Sequence, residues 1–190
     1  ILTRNVSAPR ATALAQQGCK VMACDLADEQ RIPRPDMFDP ADALFHFAAD
    51  VSVSSPTLRA ANVDGTGRAL ALADALAIPY VVYASSIEAQ GLGSDTEIPL
   101  REDMACRPVS DYGQSKVQAE ELVSKWGSLP GHRALVLRIG NIYGPGSAWF
   151  LHPSLLALLG ATPIRAIWTK LRHRLFQPLF IDDLVEGIWR

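Results

Sequence analysis

The sequence predicts a doubly wound α/β fold, a parallel sheet covered by helices on both faces. Three observations carry this: short segments that are apolar almost throughout, helix-favouring segments between them, and glycine or proline at most junctions. Strands without polar alternation are buried on both sides, which is what crossover helices bring about. In such a sheet ligands sit beyond the carboxyl ends of the strands.

Ile1–Arg4 is short and apolar, a strand already under way at the first residue. The turn Asn5-Val6-Ser7-Ala8-Pro9 follows, with Ser7 as the expected helix N-cap and proline in the first turn. Ala11–Gln17 favours helix, and Gly18 supplies a left-handed stop. Lys20–Cys24 is the next buried strand, ending at Asp25. Pro33, Pro35 and Pro40 among many charges make Asp28–Asp42 a loop or a poorly formed helix. Ala43–Ala49 is a further apolar run, Ala60–Ala77 a long helical stretch, and Tyr80–Ala84 a β-branched and aromatic strand. Gln90–Ser110, rich in Gly, Pro and acidic residues, is an expected surface loop. Tyr112–Trp126 reads as a helix with Ala119, Leu122, Val123 and Trp126 on one stripe, and Ala134–Ile139 as the last clear strand. After Tyr143-Gly144-Pro145-Gly146 the alternation weakens, which divides the chain into a first domain over 1–146 and a smaller region over 147–190.

With 190 residues, 48% of them hydrophobic and 20% charged, the chain is long enough for one sizeable core. A net charge of −2 with scattered basic residues argues against nucleic acid and anionic membrane, so a small molecule is the expected partner. Cys19, Cys24 and Cys106 form neither a CxxC pair nor zinc-ligand spacing, and read as free thiols in a reducing compartment with no metal. No apolar run is long enough to span a bilayer and no leader opens the chain; the expected location is the cytoplasm.

Tyr112-Gly113-Gln114-Ser115-Lys116 carries the sharpest chemistry. On a helix Tyr112 and Lys116 stand at i, i+4 and share a face, and an ammonium near a phenol favours the phenolate, bringing tyrosine toward the range of a general acid or base. The pattern alone is common, and a surface aromatic–lysine contact reads the same way. Tyr83-Ala84-Ser85-Ser86 places two hydroxyls at the carboxyl end of a strand, where Ser86 is the candidate to hold the substrate oxygen that Tyr112 protonates; a serine capping the next element is the alternative. His46 lies in a hydrophobic run and reads as a packed strand histidine.

Tyr-Ala-Ser-Ser, then Tyr-Gly-Gln-Ser-Lys, then Arg138-Ile139-Gly140-Asn141-Ile142-Tyr143-Gly144-Pro145-Gly146, in that order, resemble the extended short-chain dehydrogenases/reductases, the NAD(P)-dependent epimerase/dehydratase group. His46-Phe47-Ala48-Ala49, Asn62-Val63-Asp64-Gly65-Thr66 and Phe180-Ile181-Asp182-Asp183-Leu184 match further blocks, so the resemblance spans nearly the whole chain. It implies that Tyr112 is the catalytic acid/base, that Lys116 binds the cofactor ribose and tunes Tyr112, and that Ser86 orients the reacting oxygen. It places Asp25 and Leu26 at the adenine, Ala48 and Ala49 along the adenosine and phosphate, and Ala84, Ile139 and Gly140 among the other cofactor contacts. Asn62 and Asn141 join Ser86 on the substrate side. Arg4, at the carboxyl end of the first strand, suits a 2′-phosphate, which favours NADP over NAD; an exposed turn arginine is the alternative. Arg172-His173-Arg174 fits either a substrate phosphate or a solvated basic loop.

The sequence departs from the family pattern at its start, because the strand and Gly-x-x-Gly-x-x-Gly turn that bind the pyrophosphate are not in it. Loss of that central strand is expected to expose the apolar edges of both neighbours. Both ends read as cut, so the expectation is a fragment: an incomplete Rossmann domain over 1–146, then a partial substrate-binding region and a returning Rossmann segment over 147–190. The expected function is hydride transfer between NAD(P) and a carbinol or carbonyl substrate such as a nucleotide sugar, in a parent that can be a homodimer. Hydroxysteroid dehydrogenases and thioester reductases share the Ser, Tyr and Lys set, and a non-catalytic cofactor-sensing or protein-binding module is the rival from another class.

Overall fold

The computed structural model describes residues 1–52, 55–91, 100–145 and 179–190. The chain forms two compact units, Ile1–Arg138 and Ile139–Arg190.

The first unit opens with β1 (Leu2–Thr3), α1 (Pro9–Gln16) and β2 (Met22–Ala23), a strand–helix–strand crossover whose strands run parallel with Leu2 opposite Met22. Ala8, not Ser7, caps α1. The reason is Pro9: it takes the first helical position and holds the residue before it extended, and Ala8 has φ −61 and ψ 142. Gly18 stops the helix as expected, at φ 90. The proline-rich stretch holds two short 3-10 turns, Glu29–Arg31 and Pro35–Met37.

β3 (Ala43–His46), β4 (Tyr80–Ser86) and β5 (Arg133–Ile139) make a three-stranded sheet with β4 in the centre, β3 running parallel to it from Ala43 opposite Tyr80 to His46 opposite Tyr83. The connection from β3 to β4 was expected as one regular helix, but it starts with a π-helical turn, Ala60–Asp64, before α2 (Gly65–Ala75). The Thr66 hydroxyl takes the Asn62 carbonyl at 2.6 Å, competing with the regular backbone ladder at that point. After β4 come α3 (Ile87–Gln90) and α4 (Asp111–Gly127).

Leu70 and Ala73 of α2, Ile78, Val81 and Tyr83 along β4, and Ala119, Val123 and Trp126 of α4 form one buried cluster. Burial of each large member contributes about 1.5–3 kcal/mol. Leu122, expected on that stripe, is 36% exposed. Ser115, Lys116 and Glu120 of α4 are buried as well.

No ladder joins β1–β2 to β3–β4–β5 among the described residues. Ile1, Phe45 and Phe47 are 51%, 44% and 53% exposed. In the second unit, β6 (Ile142–Tyr143) pairs in parallel with β7 (Leu179–Phe180), which leads into α5 (Ile181–Trp189). No helix of the described residues is long and apolar enough to cross a membrane.

Candidate active site

The carboxyl end of β4 and the first turn of α4 build the site together. Ser110 is the N-cap of α4, its hydroxyl accepting the Gly113 N–H at 3.0 Å, which places Tyr112 in the first turn. Ser86 ends β4 and caps α3, its Oγ accepting the Glu88 N–H at 3.2 Å. The capping role weighed for Ser86 is therefore real, and it coexists with a place beside Tyr112. Gly113 explains itself here: a Cβ would run into the Glu88 carbonyl oxygen and lie 3.1 Å from Pro108 Cβ. Only glycine lets α4 rest directly on α3, and that contact brings the phenol to the serine.

Tyr112 is half-buried. Burial raises its pKa first and the Glu88 carboxylate second, while a hydrogen bond with Ser86 works in the opposite direction. Lys116 does not supply the expected depression. Its side chain is 1% exposed, its Nζ donates to the Ala84 carbonyl at 2.6 Å, and it stands 4.3 Å from the centroid of the Tyr83 ring. Sharing a helix face sets only where the side chain starts; the long stem carries the ammonium to a buried acceptor, the Ala84 carbonyl. Burial lowers the Lys116 pKa to about 8, and Glu120 works against that. Reaching a ribose hydroxyl requires this ammonium to leave or share the Ala84 carbonyl.

Asn62, in the π-helical turn, ties the loop after β3 to α4. Its Oδ1 accepts the Asp50 N–H at 2.7 Å, and its Nδ2 donates to the Asp50 carbonyl at 2.9 Å and to Ser115 Oγ at 3.0 Å. Ser115 Oγ passes its own proton to the Tyr112 carbonyl at 2.7 Å. With 1% exposure and its amide engaged on protein, Asn62 is held as a tie between loop and helix. From the same segment Arg68 donates to the Leu26 carbonyl at 2.7 Å, and Gly65 packs on Leu26, 3.0 Å separating its would-be Cβ from that side chain.

Ser86, Ala84, Tyr112 and Lys116 thus gather around the end of β4, Asn62 reaches the first turn of α4 through Ser115, and Leu26 contacts Gly65 and Arg68. Asp25 holds its own turn, Oδ1 accepting the Ala27 N–H at 3.1 Å and Oδ2 lying 3.5 Å from Arg31. Ala48 is exposed and Ala49 half-buried after β3; Arg4 is exposed after β1. Ile139, Gly140 and Asn141 belong to the second unit, where the Asn141 carbonyl accepts the Leu179 N–H at 2.9 Å. Arg172-His173-Arg174 lies outside the described residues.

The sequence reading missed an ion pair under the serines. Glu120, with its side chain 9% exposed, is 2.7 Å from Arg138 and also accepts a short hydrogen bond from the Ser85 hydroxyl. Arg138 further holds Gln90 and, at 3.0 Å, Cys106 Sγ. Glu120 lies at i+4 from Lys116, a spacing that marks a shared helix face and was the available signal.

A parallel α/β sheet with a serine and a tyrosine set together at the end of its central strand has the form of the short-chain dehydrogenase/reductase class. The chain belongs to the NAD dependent epimerase/dehydratase family, whose model matches residues 1–190. It is 29% identical over 143 residues to the UDP-glucose 4-epimerase of Azospirillum brasilense, covering 67% of this chain and 40% of that protein. It is 37% identical over 65 residues to the GDP-6-deoxy-D-mannose reductase of Pseudomonas aeruginosa, covering 34% of this chain and 21% of the other. A crystal structure of UDP-galactose 4-epimerase superposes with a TM-score of 0.66 at 26% identity, covering 90% of this chain and 56% of that one. A short-chain dehydrogenase/reductase superfamily protein from Agrobacterium tumefaciens with bound NAD gives 0.68 at 23% identity, over 97% and 70%, a likeness of fold. The chain spans about two fifths of the length of the UDP-glucose 4-epimerase from Azospirillum brasilense.

Proposed function

We propose that the protein carrying this chain is an NAD(P)-dependent epimerase, dehydratase or reductase acting on a nucleotide sugar, with Tyr112 as the acid/base at the reacting carbinol or carbonyl oxygen. The observation that carries this is the pairing of Ser86 and Tyr112 at the end of the central strand, both hydroxyls acting on one locality. Burial keeps the Tyr112 phenol in its protonated form, the form an acid starts from, and the Ser86 hydroxyl is equipped to hold the reacting oxygen in place.

The residues present suit part of a dinucleotide. Small, accessible side chains at Ala48 and Ala49 leave room beside β3, and Asp25 keeps an ordered turn beyond β2. Arg4, exposed after β1, supports a 2′-phosphate and hence NADP ahead of NAD. When bound, the nicotinamide supplies the hydride acceptor and donor. Lys116 then offers a positive charge and Ala84 its carbonyl, while Ile139, the last residue of β5, and Gly140 are the cofactor contacts offered by the second unit. Asn141 is offered to the substrate. Because the chain spans about two fifths of the length of the curated relative, the activity is proposed for the whole protein that carries it.

The test pairs wild type with Tyr112→Phe in the complete gene product, incubated with UDP-glucose, UDP-glucuronic acid or a GDP-deoxyhexose and NAD(P). Cofactor fluorescence should report binding in both proteins and turnover in the wild type alone, with a loss of about 10²–10⁴-fold in the variant. Equal turnover by both proteins refutes the role of Tyr112.

A further inference from the structure

Glu88 lies outside every motif that points to chemistry, yet it touches both halves of the candidate site. Its N–H donates to Ser86 Oγ at 3.2 Å, and its carboxylate accepts the Ser110 hydroxyl proton at 2.6 Å. Ser110 Oγ in turn accepts the Gly113 N–H at 3.0 Å, and the Glu88 carbonyl is the wall on which Gly113 rests. One residue therefore fastens the strand end that presents Ser86 to the helical turn that presents Tyr112.

We propose that Glu88 is a positioning residue for the Ser86–Tyr112 pair: its carboxylate, anchored on Ser110, fixes the approach of the two hydroxyls. The inference rests on the reading of Tyr112 as the acid/base. Other groups around the phenol leave this role to Glu88. Tyr83 faces it from β4 as a buried neutral phenol, and Lys116 and Glu120 on its own helix are turned to Ala84 and Arg138. Glu88 is the carboxylate that raises the proton affinity of Tyr112, after the larger effect of burial. It is also exposed, so its charge acts through a partly solvated path that salt weakens.

The experiment uses the complete gene product and reads Tyr112 directly, as the tyrosinate absorbance of each protein minus that of its Tyr112→Phe counterpart. Glu88→Gln keeps an acceptor for Ser110 and removes the charge; Glu88→Ala removes both. Glu88→Gln should ionise Tyr112 roughly half a pH unit or more below wild type, with the difference shrinking in high salt. Glu88→Ala should add a roughly tenfold fall in kcat with UDP-glucose and NAD at little change in KM, which Glu88→Gln restores at acidic pH. An unshifted ionisation in Glu88→Gln overturns the proposal, and so does a loss of thermal stability in both variants without that shift, the mark of ordinary packing. If Tyr112→Phe retains turnover while Glu88→Gln still shifts the phenol, the catalytic reading has failed and the electrostatic coupling stands.

Discussion

The Lys116 ammonium sits over the face of Tyr83, 4.3 Å from its ring centroid, inside the protein and hydrogen-bonded to the Ala84 carbonyl. The ring and the Ala84 carbonyl replace water only in part, which is why the amine titrates near 8 against an ordinary 10.5.

That burial has a pH signature. The folded pKa lies below the unfolded one, so the cost of the buried charge is fully present below pH 8 and is relieved as pH rises toward 10.5. Relative to a Lys116→Met variant, the wild type should gain roughly 3 kcal/mol of stability between pH 7 and pH 10.5. Denaturant melts of both proteins across that range check it, and parallel curves would count against a buried ammonium.

His46 gives the opposite window. It is 4% exposed, and because Thr66 spends its proton on the Asn62 carbonyl, His46 Nε2–H is the donor in their 3.0 Å bond. Burial first, then the Lys116 charge, lowers its pKa from 6.5 to about 4. The unfolded ring takes up a proton before the folded one, so stability is complete above pH 6.5 and is lost as pH falls toward 4. Relative to His46→Gln, the wild type should lose roughly 2–3 kcal/mol between pH 7 and pH 4.5. Thermal midpoints at a series of pH values decide the matter.

Glu120→Ala leaves the Arg138 guanidinium without its carboxylate and the Ser85 hydroxyl without its acceptor. Removing one partner of a mostly buried pair typically costs about 3–5 kcal/mol, and Glu120→Gln should cost less because it keeps an acceptor for Ser85. Urea unfolding of the two variants measures the difference; equal midpoints would mean that the pair is better solvated than its geometry implies.

Gly113→Ala brings a methyl group into the Glu88 carbonyl, which is backbone and has little room to retreat. About 1–3 kcal/mol of destabilisation is expected, together with a displaced first turn of α4. Loss of turnover exceeding the loss of folded protein would place the effect at the site.

Much of this was legible because it is local. Tyr112 and Lys116 fall on one helix face by spacing, Ser86 ends a strand whose residues say strand, and Gly18 stops α1 where its conformational freedom predicts. The rest depends on partners far along the chain. The π-helical turn is fixed by Thr66 and by the fit of Gly65 on Leu26, and nothing in the run from Ala60 to Ala77 announces either. Lys116 turns inward because the Ala84 carbonyl is there to receive it, and Glu120 is buried because Arg138 of β5 comes to meet it. Pro9 was visible, yet its effect on the residue before it outranked the better capping chemistry of Ser7.

Among the described residues β1 is laced to a neighbour on one flank only, and so is β3. Bare amides and carbonyls along such flanks invite one molecule to stitch itself to the next. Purified polypeptide of this sequence should therefore grow turbid with concentration sooner than with heat, and dilution should clear it before the stitching becomes permanent.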